Sequence, residues 1–416
     1  MSGCQPHPGS HPAQNHWDCP TAEQLFGYAT EQISLAVSES WPGESCRFAE
    51  HVPSVTGYVR RIEVGDRTLF AKYSYLGSSL VSVLRGRCGD WDQVRAAQQR
   101  YAAAPGSLLE REAGQLRLLQ RLRRPRAHRV AAFCRGVVLT ETASGTTLAQ
   151  LFHAEPRRAG ELLRRTWAEV RELHRVERTQ RFTRSLAIEE RSVTGIFARK
   201  FRGIGANVYF DQVAAEWPHH PGEYDELWGM LRRAVIRLGR RQGTRPVTVA
   251  PVLVYGDLKP EHVLFENYAI ASARPVFIDP GMSQARPTVD AAKLISRTIL
   301  LLIGLQPISV KAIGDGLASF VEDQTQALPA AARREWLREL VLLWLMDTVN
   351  ILTTYLSAPA GLPLPAPAEA GLSQARTVGA LLDTVSAELT AGADPQSVWR
   401  LGLAAAVGHA QLAATA

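Results

Sequence analysis

The spacing of apolar positions changes period several times along the chain, and each change marks an element. Residues 21–40 carry apolar side chains at near-helical spacing behind Thr21, with Glu23 following, which predicts a capped helix. From 52 to 75 the period falls to two. Ser54-Val55-Thr56-Gly57 reads as a turn, 58–64 alternates, and Gly65-Asp66 turns the chain into Leu69-Phe70-Ala71-Lys72, so a hairpin is predicted. Residues 76–107 interrupt the pattern with Gly, Ser and Arg and read as an insertion. Leu108–Leu122 is strongly amphipathic at helical period, and 131–141 reads as two short strands around Arg135-Gly136.

Beyond that point helical spacing dominates. Helices are predicted at 145–152, 159–176, 289–305, 310–322 and 331–355, with strand-like apolar runs at 251–278. Residues 177–245 follow no single period, 359–367 is a Pro/Ala linker, and 372–389 and 395–412 read as Ala-rich helices. Residues 1–20 read as a disordered leader, and Cys4, His7, His11, His16 and Cys19 match no standard metal spacing. The order of elements predicts an α+β fold in two lobes. Its divisions fall at 1–20 (leader), 21–142 (sheet-bearing lobe), 143–357 (helical lobe) and 358–416 (linker and terminal helices).

Composition narrows the class of protein. At 416 residues the chain is long enough for more than one core, and 46% hydrophobic with 21% charged residues is ordinary for a globular fold. The net charge of +7 comes almost entirely from scattered arginines, the lysines being Lys72, Lys200, Lys259, Lys293 and Lys311. No aromatic-spaced basic platform accompanies them, so nucleic acid is not the expected partner. The five cysteines form no CxxC pair, and no basic segment followed by an apolar run opens the sequence. The most apolar stretches, 299–305 and 340–345, read as too short or too interrupted to span a bilayer, and a cytoplasmic location without membrane contact is expected.

Candidate chemistry lies in two strand–loop elements. Val252-Leu253-Val254-Tyr255 runs into Gly256-Asp257-Leu258-Lys259-Pro260-Glu261-His262, and Val263-Leu264-Phe265 leaves it; Pro275-Val276-Phe277-Ile278 then ends on Asp279-Pro280-Gly281. Two aspartates at strand edges, 22 positions apart (279 minus 257), suit phosphoryl transfer: one for the proton of an incoming hydroxyl, one for a divalent cation.

These motifs resemble the aminoglycoside phosphotransferase/choline kinase family, whose catalytic loop reads His-Gly-Asp-Leu-x-x-x-Asn and is followed by Ile-Asp-x-Gly. Tyr255-Gly256-Asp257-Leu258 and Ile278-Asp279-Pro280-Gly281 are the matching residues. The resemblance implies a bilobal protein-kinase-like fold with a small antiparallel-sheet N-lobe and a larger helical C-lobe. It also implies ATP with Mg2+ (Mn2+ as an alternative) and a hydroxyl-bearing small-molecule acceptor, an antibiotic or a metabolite. Asp257 is implied as catalytic base with Lys259 steadying the phosphoryl group, Asp279 as metal ligand, and Asp290 as a brace beneath the loop. Lys72 would hold the α- and β-phosphates, paired with Glu112 in preference to Glu110. Ser54, Thr56 and Gly57 would cover the phosphates, and the backbone of Glu141 and Thr142 would read the adenine edge. Leu173-His174 matches the family's Leu-His, where packing or capping is the expected role.

Two positions depart from the pattern. His262 stands where the family has asparagine, and Tyr255 stands for its histidine. An imidazole there offers nitrogen where Mg2+ prefers oxygen, which keeps a metal role for His262 and also a catalytically impaired pseudokinase in view. A protein kinase is the other alternative, disfavoured by the absence of His-Arg-Asp, Asp-Phe-Gly and Ala-Pro-Glu. Glu189, Glu190, Asp211, Glu223, Asp225 and Glu226 offer acids for a cationic acceptor, or an ordinary solvated surface.

Overall fold

Thr21 closes a capping box: its hydroxyl accepts from Gln24 N, and the Gln24 side chain accepts from Thr21 N, so Gln24 rather than Glu23 is the reciprocal partner. The helix that follows, Ala22–Ser40, lays Leu25, Ala29, Ile33 and Val37 against an antiparallel sheet. The structure, a computed structural model, describes residues 19–175, 184–202, 210, 223–242, 251–270, 272–305 and 309–415. The leader with its His and Cys residues up to 18, and much of 177–245, therefore lie outside the described residues.

The predicted hairpin is β2 (Tyr58–Val64) with β3 (Arg67–Tyr73), in register from Tyr58 opposite Tyr73 to Val64 opposite Arg67. Ahead of it runs β1 (Cys46–Val52), whose residues are partly exposed on both faces and so leave no alternation to read. The segment taken as an insertion forms helices Leu80–Leu84 and Trp91–Ala103. Their start signals are local: Ser79 caps the first, and Asp90 with Gln93 forms a capping box on the second. After helix Leu108–Leu122 come β4 (Arg126–Ala127), β5 (Val130–Cys134) and β6 (Val137–Glu141). The N-lobe sheet has the order β1-β2-β3-β6-β5.

The C-lobe is mostly helical, with short strands β7 (Thr146–Thr147), β8 (Val252–Val254), β9 (Val263–Phe265), β10 (Val276–Phe277) and β11 (Ser283–Ala285). They make the ladders β4-β10-β9-β7 and β11-β8, which present the two aspartate loops. Helix Ala330–Leu356, predicted over 331–355, is 27 residues long and, by length and composition, apolar enough to cross a membrane, contrary to the reading of its stretch 340–345 as too short or too interrupted. In the fold, 72% of its most apolar window is buried, so that apolarity serves the core.

The Pro/Ala segment is more than a spacer. Leu362 is buried in the N-lobe core beside Ile351 and Tyr355 from the end of the long helix, which ties the lobes together. Helices Ala375–Ala391 and Pro395–Thr415 join the C-lobe core, where Trp344 meets Trp399 at 5.8 Å between ring centroids. The Gly402 backbone lies so close that an added Cβ would meet the Trp344 ring at 2.8 Å. Trp344→Ala would leave a cavity at this junction and is expected to cost about 3–5 kcal/mol, measured as a loss in chemical-denaturation free energy. A loss below about 1 kcal/mol would show that the junction contributes little.

Candidate active site

β8 delivers the chain to Tyr255, which is fully buried with its hydroxyl donating to Ile278 O at 2.7 Å. The next residue turns sharply: Gly256 has φ +80°, and a Cβ there would stand 2.0 Å from Gly281 O. Only glycine fits both the left-handed backbone and the close approach of the second loop. The turn is held from beneath by Asp290 on helix Thr288–Leu305. Asp290 accepts from Tyr255 N at 2.8 Å and Gly256 N at 2.7 Å, and His174 Nε2 lies 2.9 Å from the same carboxylate. His174 thus positions the brace, in keeping with the structural role expected of it.

The two loops are pinned to each other by Gly281 N donating to Tyr255 O and Ile278 N donating to His262 O, both at 3.0 Å. Asp279 itself takes φ +56°, a conformation that disfavours an L-residue by about 1–2 kcal/mol and is held here by the packed loops.

On this scaffold the structure gathers Lys72, Glu112, Asp257, Lys259, His262 and Asp279 into one cluster. Lys72 Nζ lies 2.9 Å from Glu112 Oε1 and 3.1 Å from Asp279 Oδ1. Lys259 Nζ lies 3.0 Å from Asp257 Oδ2. His262 stands between the acids, Nδ1 3.8 Å from Asp257 Oδ2 and Nε2 3.8 Å from Asp279 Oδ2. Glu110, the rejected alternative to Glu112, bonds Gly106 N instead.

Two basic residues were not singled out from sequence. Lys293 Nζ is 2.7 Å from Asp257 Oδ1, and the Arg191 guanidinium bonds Glu112 Oε2 and, at 2.6 Å, Pro280 O. Lys293 could have been found as the residue one turn beyond Asp290 on the same helix face. Arg191, in a segment without period, gave no signal. Gln115, one turn past Glu112, adds a reciprocal pair of hydrogen bonds to Met282 N and O at 2.8 Å.

Burial alone would raise the Asp257 carboxyl, but Lys259 and Lys293 outweigh it and hold the acid well below the usual carboxylate range. Asp279 is likewise held low by Lys72, against the opposing effect of burial. Burial lowers Lys259, and burial together with the nearby Lys259 pushes His262 down to about 3. His262 is therefore neutral, and its tautomer is fixed by geometry. Nδ1 is 3.1 Å from Asp257 O, a carbonyl that only accepts, so Nδ1 carries the proton and Nε2 presents its lone pair toward Asp279.

The remaining predicted residues flank this cluster. Ser54, Thr56 and Gly57 form the β1–β2 connection, where Ser54 Oγ accepts from Thr56 N at 3.2 Å. A Cβ on Gly57 would meet Tyr73 O at 3.0 Å. Glu141 ends β6 with its N–H given to Arg129 O, and Thr142 follows. A cavity of about 570 Å³ touches Glu141 and Thr142 and is lined also by Arg126 and His128, but Ser54, Thr56, Gly57, Lys72, Asp257 and Asp279 take no part in it. Of the acids considered for a cationic acceptor, Glu190 pairs with Arg111 and Glu226 with Arg376, Glu189 and Asp225 are exposed, and Asp211 is outside the described residues. Glu223 opens helix Glu223–Gln242.

Among the described residues, no set of three or more His, Cys, Asp or Glu side chains forms a ready-made metal cage. The donors that do converge, the Asp279 carboxylate and the His262 Nε2 lone pair, would suit two positions around a divalent cation, the rest of whose ligands would have to come from elsewhere.

Comparison with known proteins gives the family and the fold. The profile of the phosphotransferase enzyme family matches residues 87–340. No curated protein sequence matches the chain. Among solved structures, choline kinase from Cryptosporidium parvum superposes with a TM-score of 0.51 at 10% identity, covering 89% of this chain and 99% of that one. A Plasmodium vivax ethanolamine kinase gives 0.46 at 10% identity (84% and 86% covered), and an aminoglycoside-3'-phosphotransferase of type VIII gives 0.44 at 19% (78% and 99% covered).

Two outcomes are expected. Gly256→Ala forces both strain and overlap, so activity and cooperative unfolding should be lost together; a stable, active variant would refute the close approach. His262 stays neutral in the folded protein down to about pH 3, while in the unfolded chain it gains a proton near its ordinary 6.5. The unfolded state then binds more protons in that window, so this contribution to stability falls as pH drops. Denaturation midpoints should therefore decline more steeply from pH 6.5 toward about 4 in the wild type than in His262→Asn, and equal slopes would contradict the assignment.

Proposed function

We propose, for a chain that belongs to the phosphotransferase enzyme family, that it transfers the γ-phosphoryl group of ATP to a hydroxyl of a small molecule, an antibiotic or a metabolite. The observation that carries the reading is the linked arrangement of Glu112, Lys72 and Asp279, set beside Asp257 across a single imidazole. Phosphoryl transfer asks little covalent chemistry of a protein; it asks for two anionic posts and fixed cations.

In this reading Asp257 orients the acceptor hydroxyl and takes its proton on Oδ2. The acceptor oxygen bonds to the γ-phosphorus as the bond from that phosphorus to the β,γ-bridging oxygen breaks, and ADP leaves. Lys259, at Oδ2, is placed to follow the moving charge, and Lys72, held by Glu112, steadies the donor phosphates. Asp279 and His262 would hold the divalent cation, which when bound neutralises phosphate charge. Ser54, Thr56 and Gly57 would cover the phosphates, and Glu141 and Thr142 would meet the adenine edge.

A small acceptor fits better than a protein. Helix Thr288–Leu305 begins nine positions after Asp279 (288 minus 279), too soon for a peptide-binding activation segment.

The reading is tested by ATP turnover against a panel of hydroxylated antibiotics and metabolites. Asp257→Ala should lower turnover with the best acceptor by about 10²–10⁴-fold, the usual worth of general-base catalysis. Undiminished turnover in that variant would sink the assignment, and ATP binding without turnover on any acceptor would favour a pseudokinase. His262→Asn trades nitrogen for oxygen beside Asp279, so the ratio of Mn2+- to Mg2+-supported turnover should fall; an unchanged ratio would remove His262 from the ligand set.

A further inference from the structure

We propose that Lys293 is a positioning residue for phosphoryl transfer: it pins Asp257 Oδ1 and thereby turns Oδ2 toward the acceptor. The inference rests on Asp257 being the base. The two oxygens of that carboxylate are engaged by different lysines, Oδ1 by Lys293 at 2.7 Å and Oδ2 by Lys259 at 3.0 Å. Their exposure separates their roles. The Lys293 side chain is 3% exposed, with its ammonium also 3.4 Å from Arg191 O, whereas the Lys259 side chain is 23% exposed. Lys293 is too enclosed to meet a substrate, so its effect must pass through Asp257.

The helix carrying it explains the placement. Asp290, Lys293 and Arg297 stand at i, i+3 and i+7, on one face of helix Thr288–Leu305. Asp290 fixes the backbone of Tyr255 and Gly256, and Lys293 fixes the side chain of the residue that follows. Arg297 forms its ion pair with Asp347 on the long helix, at 2.9 Å, and acts on Asp257 only through space. One rigid element thus sets both the position of the loop and the rotation of its carboxylate. That second constraint matters because the terminal torsion of aspartate is broad, and a base that rotates freely offers the acceptor a moving target. A buried ammonium is costly to desolvate, and the Asp257 carboxylate offsets that cost.

The test uses the full-length protein with ATP and Mg2+. ADP release is followed with the best acceptor of the panel, or with water as acceptor where none responds, and nucleotide affinity is read with fluorescent N-methylanthraniloyl-ATP. Lys293→Met should lower kcat by about 10²-fold, while KM for ATP and affinity for the fluorescent nucleotide stay within about twofold. Lys293→Arg, which keeps the charge, should recover at least about tenfold of the loss. If Lys293→Met does not fold, Lys293→Gln takes its place with the same expectation. A kcat within about twofold of wild type would overturn the inference, as would a joint loss of kcat and nucleotide affinity that Lys293→Arg does not relieve, the mark of a merely structural lysine. Asp257→Ala keeps the two failures apart. If that variant is inactive while Lys293→Met is normal, only the role of Lys293 falls. If Asp257→Ala itself is fully active, the base assignment falls and takes this inference with it.

Discussion

The site depends first on one carboxylate that touches no substrate. Asp290 accepts the backbone N–H groups of Tyr255 and Gly256, and so holds open a turn that only glycine can make. Two charge-assisted bonds to backbone amides are strong in a buried setting, and they are directional. Without them Gly256 would have no reason to stay at φ +80°, the Gly281 carbonyl would lose its close neighbour, and the two aspartate loops would part. His174 on helix Ala159–His174 completes the brace, so the C-lobe core reaches the chemistry through a chain of fixed polar contacts.

Above the brace the dominant constraint is charge. Glu112, Asp257 and Asp279 are surrounded by Lys72, Arg191, Lys259 and Lys293, each of these ion pairs lying within hydrogen-bonding reach. Ion pairs this enclosed are poor devices for stability, because desolvation consumes most of what attraction returns. They are good devices for holding carboxylates ionised and oriented. Arg191 and Gln115 extend the same logic to the lobe boundary: each joins helix Leu108–Leu122 to the loop at 280–282, so Glu112 is fixed from both sides.

How much of this was legible in the sequence follows from how local each signal is. The β2–β3 hairpin and the amphipathic helix Leu108–Leu122 show their periods directly, because buried and more exposed positions recur along them at the period of the element. β1 did not, because its partly exposed residues alternate weakly, and helix Trp91–Ala103 hid behind a capping signal in a Gly- and Arg-rich stretch. Helix Ala330–Leu356 was legible as a helix at 331–355, but its apolar length was not, because it packs on several sides at once. In the site, Lys72, Glu112, Asp257 and Asp279 were visible through the order of motifs. Lys293 and Arg191 were not, since a single basic residue carries no pattern until its partner is placed in space.

The cluster's charge also bears on the acceptor. Four cations against three carboxylates leave an excess of positive charge, which favours a polyphosphate donor over a cationic acceptor at the same spot. Acids that would welcome a cationic acceptor would have to lie further out, where Glu190 and Glu226 are committed to Arg111 and Arg376 while Glu189 and Asp225 are exposed. The same enclosure that orients the Asp257 carboxylate narrows what can approach it, so in the proposed reaction acceptor choice would follow from how that carboxylate is held.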